Sequence, residues 1–280
     1  MSTRAHPIET ADDPRVALYR GVSDADLLRT HGLFVAEGQI VVRRVLEDAR
    51  YRVVSVLVNE AARRDLEASF DERSSLPVFV CPAEAFADIT GYAIHRGCLA
   101  LVERPASASV ADMLATADCV VALERVGNAD NVGGVFRSAA AFGAAVLLSP
   151  ASCDPFYRKA VRTSMGAVLR VPFARADDWP AALDAARAAG FTIVALTPRE
   201  PSESIEAFAA RAPRRVLLVV GSEGSGVSSE VEAAADCRVR IPMADRVDSL
   251  NLSVAAGIAL YALSARASRS DRGPTPISTT

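Results

Sequence analysis

The chain has 280 residues, half of them apolar, and a net charge of −3, so it is long enough for two domains that each bury a core. No apolar run approaches the ~20 residues that a membrane-spanning helix needs, and MSTRAHPIETADDP carries no apolar segment after its lone arginine, so neither a membrane anchor nor a secretory signal is expected. Five cysteines (81, 98, 119, 153, 237) without a CxxC pair and three scattered histidines (His6, His31, His95) argue against a disulfide framework or a zinc site; Cys81, Cys119 and Cys237 lie in apolar runs and read as buried thiols in a reducing cytoplasm. Taken in order, residues 1–12 read as a disordered leader. Residues 13–104 read as a small α/β unit with strands at 33–36, 53–58, 77–80 and 98–102. Helices are expected at 38–49, 60–69 and 83–88. Arg43, Arg44, Arg50 and Arg52 cluster there and read first as a solvated face.

The stretch ERPASASVAD (103–112) reads as a linker. Residues 113–267 then alternate plainly, with strands at 119–123, 145–148, 169–173, 191–196, 216–220 and 238–241. Helices at 131–142, 156–165, 179–189 and 203–210 fall between them, and a long apolar helix closes the domain. The alternation predicts a mainly parallel six-stranded sheet. The tail 268–280 is polar and reads as disordered.

Two loops at the ends of late strands draw attention, because open α/β sheets build ligand sites at such strand ends. GSEGSG (221–226) follows the apolar run 216–220, but its glycines are in the wrong order for a dinucleotide fingerprint, and no Lys-Ser/Thr follows for a P-loop. Ser229 and Glu232 fit a capping box; Glu223, between two glycines, has no such structural reason. In the second loop, 242–251, Ser249 reads as a local hydrogen-bonding residue or a site residue, and Asn251 as a helix cap or a site residue. Ile241, Met243, Leu250 and Leu252 read as core or as walls for a flat purine ring.

Asn131 reads as an N-cap or a site residue. Gly133 and Gly134 cost helix stability, which implies that something packs or binds closely there. Arg137 wants an anion, either a protein carboxylate or a phosphate. In DPFYRKAVRTSMGA (154–167), Arg158 and Arg162 are like charges at i, i+4, an arrangement that a phosphate backbone opposite would relieve. Among the basic residues only Lys159 is a lysine, and arginine is the better fork for phosphate.

Together, NVGGVFRSAAAFG (131–143), LVVGSEGSGVS (218–228) and IPMADRVDSLNLSVAAGIAL (241–260) resemble the three signatures of the SpoU/TrmH group of S-adenosylmethionine-dependent RNA 2′-O-ribose methyltransferases. The likeness covers about 115–265. LFVAEGQIVVRRVLE and HRGCLALVERP more loosely resemble the ribosomal-protein-like RNA-binding domain that precedes many members. Asn128-Ala129 departs from the Asp-Pro common there. The resemblance implies an α/β knot methyltransferase domain, a cytoplasmic homodimer, S-adenosyl-L-methionine as cofactor, and RNA (ribosomal, with transfer RNA as the alternative) as substrate. It implies a catalytic set of Asn131, Arg137, Glu223, Ser249 and Asn251, and cofactor contacts at Leu196, Gly221, Ile241, Met243 and Leu250. No metal is implied. A non-catalytic RNA-binding protein that keeps the fold is the reading from another class.

Overall fold

The computed structural model describes residues 5–71, 73, 75–90, 97–244 and 249–270. Its contacts divide the chain into one unit of Met1–Ala106 with Asp154–Leu169 and a second of Ser107–Cys153 with Arg170–Thr280.

In the first unit the elements run β1 (Ala5–Pro7), α1 (Asp24–His31), β2 (Leu33–Glu37), α2 (Gln39–Glu47), β3 (Val53–Val58), α3 (Glu60–Asp65), α4 (Glu67–Asp71), β4 (Val78–Val80), α5 (Ala83–Thr90) and β5 (Cys98–Glu103). The sheet order is β1-β4-β3-β5-β2. β1, β4 and β3 are parallel, and β5 is antiparallel to both of its neighbours. β1 corrects the expectation of a disordered leader. The outer edge of β4 presents open backbone groups, Ala5–Pro7 pair with them, and Ile8 is buried and donates its N–H to Val80 O at 2.8 Å. α1 was not foreseen either, although Ser23 caps it through Asp26 N at 3.1 Å.

In the second unit, α6 (Val110–Thr116) shortens the expected linker, and β6 (Cys119–Glu124), α7 (Ala129–Phe142) and β7 (Ala145–Leu148) follow. α8 (Arg158–Thr163) belongs to the first unit. The second resumes with β8 (Phe173–Arg175), α9 (Trp179–Ala188), β9 (Thr192–Leu196), β10 (Glu203–Ser204), α10 (Ile205–Arg211), β11 (Val216–Gly221), α11 (Ser229–Ala234), β12 (Cys237–Arg240) and α12 (Leu252–Ser270). Its sheet has seven strands in the order β10-β12-β9-β11-β6-β7-β8, all parallel; the short edge strand β10 is the addition to the six expected. A parallel sheet covered on both faces needs apolar strands throughout, and Val216–Val220 are accordingly all buried.

Three expectations change here. The strand expected at 169–173 begins only at Phe173: Ala167–Leu169 make a 3-10 turn after Gly166 at φ 73°, and Pro172, which has no N–H to donate, delays the ladder. Residues 154–169, expected within the second domain, pack with the first unit. Arg162 pairs with the buried Glu37 at 3.2 Å, and Asp24 accepts the N–H of Arg158 at 2.8 Å and approaches its guanidinium at 3.9 Å. These carboxylates relieve the i, i+4 repulsion within the chain itself. The final helix runs on to Ser270, into the expected tail; residues 271–280, residues 1–4 and the His95-Arg96 part of the N-terminal likeness lie outside the described residues.

The arginine cluster 43–52 is engaged as well. Arg43 holds Asp65 O at 3.0 Å, Arg44 reaches Met165 O, Arg50 pairs with Asp48 at 2.6 Å and Arg52 with Glu103 at 2.6 Å. Of the thiols, Cys81 and Cys98 are buried, which pushes them up to about 11 and 12, whereas Cys119 and Cys237 are half-buried. Among the described residues no helix is long and apolar enough to cross a membrane.

Candidate active site

The site is built at the carboxyl ends of β9, β11 and β12. β11 ends at Gly221, which pairs in register with Glu124. The chain then folds back on itself: Gly226 N donates to Ser222 O at 2.9 Å, and the hydroxyls of Ser222 and Ser225 meet at 2.6 Å. Gly224 and Gly226 sit at φ 86° and 68°. A Cβ on Gly221 would lie 1.9 Å from the carbonyl carbon of Gly226, so only glycine permits this turn.

α11 begins one residue earlier than the capping-box reading required. Ser228, not Ser229, accepts the N–H of Val231 at 3.3 Å. The buried Glu124 takes both the N–H (2.9 Å) and the hydroxyl (2.7 Å) of Ser228, which ties the end of β6 to the far side of the glycine loop. Glu232 does not reach back to a cap but pairs with Arg199 at 3.1 Å.

Between this loop and the segment after β12 lies a cleft of about 660 Å³, within the size range of small-molecule sites. All five expected cofactor-contacting residues line it: Leu196, Gly221, Ile241, Met243 and Leu250. Glu223, Ser249 and Asn251 line it too. Leu250, 37% exposed, is one of the apolar side chains open to the cleft. Residues 245–248 of the same loop lie outside the described residues.

Asn251 is the junction. Its Nδ2 donates to Asn131 Oδ1 at 2.9 Å and to Glu223 Oε1 at 3.1 Å. Its Oδ1 accepts Ser253 N (3.0 Å), Ser253 Oγ (2.7 Å) and Val254 N (3.3 Å), so it also caps α12. The cap reading of Asn251 holds, and the residue also lines the cleft. Asn131 is not the cap of α7; Asn128 is, accepting Asp130 N at 2.9 Å. Asn131 instead lies inside the helix at 3% exposure, and its Nδ2 is buried with no hydrogen-bond partner among the described residues. The amides of Asn131 and Asn251 and the Glu223 carboxylate thus form a chain from the interior to the cleft.

Arg137 stands apart. It is exposed, does not line the cleft, and makes no hydrogen bond or ion pair among the described residues. Gly134 of α7 has a packing reason: a Cβ there would lie 2.6 Å from Ser253 Cβ, so α12 crosses α7 at close range.

The comparisons with known proteins bear on this geometry. The sequence model of the SpoU rRNA Methylase family matches residues 118–261. The chain belongs to the SpoU rRNA methylase family. Over 258 residues, 89% of this chain and 88% of its relative, it is 37% identical to a Mycobacterium tuberculosis protein known only as an uncharacterized tRNA/rRNA methyltransferase. Among solved structures, the AdoMet-bound rRNA methyltransferase of Sinorhizobium meliloti superposes with a TM-score of 0.79 at 25% identity, covering 92% of this chain and 97% of that one. AviRb of Streptomyces viridochromogenes, in complex with AdoMet, superposes with a TM-score of 0.75 at 23% identity, over 91% and 98%. This SpoU-family chain is thus an RNA methyltransferase built on a parallel α/β sheet.

Three residues around the SpoU-family cleft were missed from sequence. Glu124 and Ser228 carried only the weak signal of polar residues beside strand and helix ends. Arg199, from the β9–β10 loop, lines the cleft but belongs to none of the three signature motifs.

Proposed function

We propose that the protein is an S-adenosyl-L-methionine-dependent methyltransferase of the ribose 2′-hydroxyl of RNA, with ribosomal RNA as the substrate. The observation that carries this reading is the amide–carboxylate chain Asn131–Asn251–Glu223 at the rim of a cleft with apolar walls. The residues present fit the cofactor. Leu196, Ile241, Met243 and Leu250 offer flat apolar contact for an adenine ring, and the backbone around Gly221 offers polar atoms for its edge. Glu223, which has no cationic partner among the described residues, offers a carboxylate toward a positively charged ligand. When bound, the cofactor would supply a methyl group made electrophilic by its sulfonium.

The protein's task is then alignment, which is worth several kcal/mol in a well-held pair of reactants. Asn251 fixes Glu223 and Asn131 relative to the loop, and Ser249 lies beside them. Arg137 grips the RNA phosphate next to the target ribose. It acts as clamp and electrostatic stabiliser, not as base, while the hydroxyl proton leaves to phosphate or water.

The first unit serves as the RNA-binding domain, and the C-terminal segment is threaded as a knot; the order β12-β9-β11-β6, which places late strands on both sides of β9, supports that threading. The protein works as a homodimer. Val254, Ile258 and Tyr261, at 50%, 38% and 63% exposure, form an apolar stripe on α12 at helical spacing, beside Phe142 of α7. Arg137 lies on that same α7, so a second copy is where it meets a cleft.

The test is methyl transfer to ribosomal and transfer RNA, followed by nuclease digestion and detection of 2′-O-methylated nucleosides. Wild-type protein is expected to modify ribosomal RNA, and Arg137→Ala to lose at least about 100-fold in rate while binding S-adenosylhomocysteine within about threefold of wild type. Methylation of a base instead of ribose, or full activity in Arg137→Ala, would refute the reading; activity on transfer RNA alone would correct the substrate.

A further inference from the structure

The glycine loop has few means of its own to hold its shape. Inside it, among the described residues, there are the Ser222–Gly226 backbone bond and the Ser222–Ser225 hydroxyl contact, and two of its glycines sit at positive φ, where the unfolded loop has wide freedom. From the neighbouring β9–β10 loop, Arg199 reaches across to it. Arg199 Nη2 donates to Ser225 O at 2.9 Å, and Nη1 to Val227 O at 3.2 Å. The same Nη1 meets Glu232 Oε1 at 3.1 Å, and Glu232 is only 8% exposed, so the strap is anchored on α11 behind the loop. The base of Arg199 is fixed in turn: its N–H donates to Thr197 Oγ1 at 3.2 Å, and Thr197 is buried.

We infer that Arg199, anchored by Glu232, is a positioning residue for the cofactor: it ties the loop after β9 to the glycine loop after β11 and presets the cleft before the ligand arrives. A guanidinium suits this role, since its planar fork donates to two carbonyls and a carboxylate at once, which an ammonium on a flexible stem does not match. Ordering a floppy loop on binding would weaken affinity, and a preset loop avoids that cost. Arg240, the other arginine of the cleft, does not share the role; it pairs with Glu200 at 2.9 Å and contacts Ser202, away from the glycine loop.

The inference rests on the cleft being the cofactor site, and the experiment separates the two. S-adenosylhomocysteine affinity is measured by calorimetry for wild type, Arg199→Ala, Arg199→Lys, Glu232→Ala and the double variant Arg199→Ala/Glu232→Ala, with steady-state methylation alongside. Arg199→Ala is expected to weaken affinity by about tenfold, raise KM for the methyl donor similarly, and leave kcat at saturating donor within about twofold, since it touches the loop and not the reacting atoms. Glu232→Ala should produce part of the loss, the double variant should be no worse than Arg199→Ala, and Arg199→Lys should rescue little. If wild type binds the ligand and Arg199→Ala binds it within twofold, the strap is refuted and the cofactor site stands. If the two losses add independently, Arg199 does not act through its anchor, and the inference fails. A wild-type protein that does not bind S-adenosylhomocysteine would overturn both.

Discussion

A single side-chain amide does two jobs at Asn251, and substitutions can separate them. Its oxygen caps α12 and its nitrogen links Asn131 to Glu223. Asn251→Ala removes both. Loss of a cap costs about 1 kcal/mol, which lowers Tm by about 2–4 °C in a domain of this size; the loss of alignment should lower methylation by at least about 100-fold. Asn251→Asp keeps the capping oxygen but sets a carboxyl beside the Glu223 carboxylate. Two carboxylates that close raise one another's pKa, so a proton held in the folded state is given up in the unfolded one. A raised folded pKa means stability present at low pH and lost as pH rises. The Tm gap between wild type and Asn251→Asp should therefore widen from about pH 4 to about pH 7. Thermal melts across that range decide it; a gap independent of pH would mean that Glu223 is not the neighbour.

At the scale of elements, the crossing of α7 and α12 places Asn131 against Asn251, and small residues make that crossing close. Gly134→Ala tests this with two effects of opposite sign. Alanine in a helix gains about 1 kcal/mol over glycine, but its Cβ would lie 2.6 Å from Ser253 Cβ, and such overpacking costs about 1–3 kcal/mol. Because Ser253 is itself held by Asn251 Oδ1, it cannot swing aside freely, and a net loss of about 1 kcal/mol is expected in urea unfolding. Adding Ser253→Gly should recover part of it. Stabilisation by the full helix propensity would show that the helices are not in tight contact.

This crossing also marks where the sequence was readable. Asn131 and Arg137 stood out from their composition alone, and β7 and β3 were predicted to the residue because their apolar runs have clear ends. The cap of α7 was misplaced because Asn128 and Asn131 are equally good caps, and only packing against α12 buries the second. β1 carries no apolar run and exists because β4 has a free edge. The allegiance of residues 154–169 is set by ion pairs more than 120 positions away in the chain, such as Arg162 with Glu37, which no local pattern records. Arg199 was silent for the same reason: its partners lie on another loop.

For the whole molecule, the proposed role of Arg137 needs a cleft that its own chain does not offer it among the described residues. The apolar stripe Val254, Ile258 and Tyr261 gives α12 a face that a second copy can cover, and closed two-fold pairing is the commonest way such a patch is buried. Ile258→Glu combined with Tyr261→Glu should shift the protein from dimer to monomer in sedimentation and lower methylation by at least about 100-fold, while each chain keeps its cleft and its S-adenosylhomocysteine affinity. A sharper consequence concerns two dead variants. Arg137→Ala and Asn251→Ala are each expected to be inactive alone. If each site draws its arginine from one protomer and its asparagine from the other, a heterodimer of the two variants contains one site with both native residues and one with neither. Unfolding and refolding an equal mixture makes half the dimers heterodimers, and half of their sites are intact, so about a quarter of wild-type activity should return. If both residues serve the cleft of a single chain, every site in the mixture lacks one of them and no activity returns.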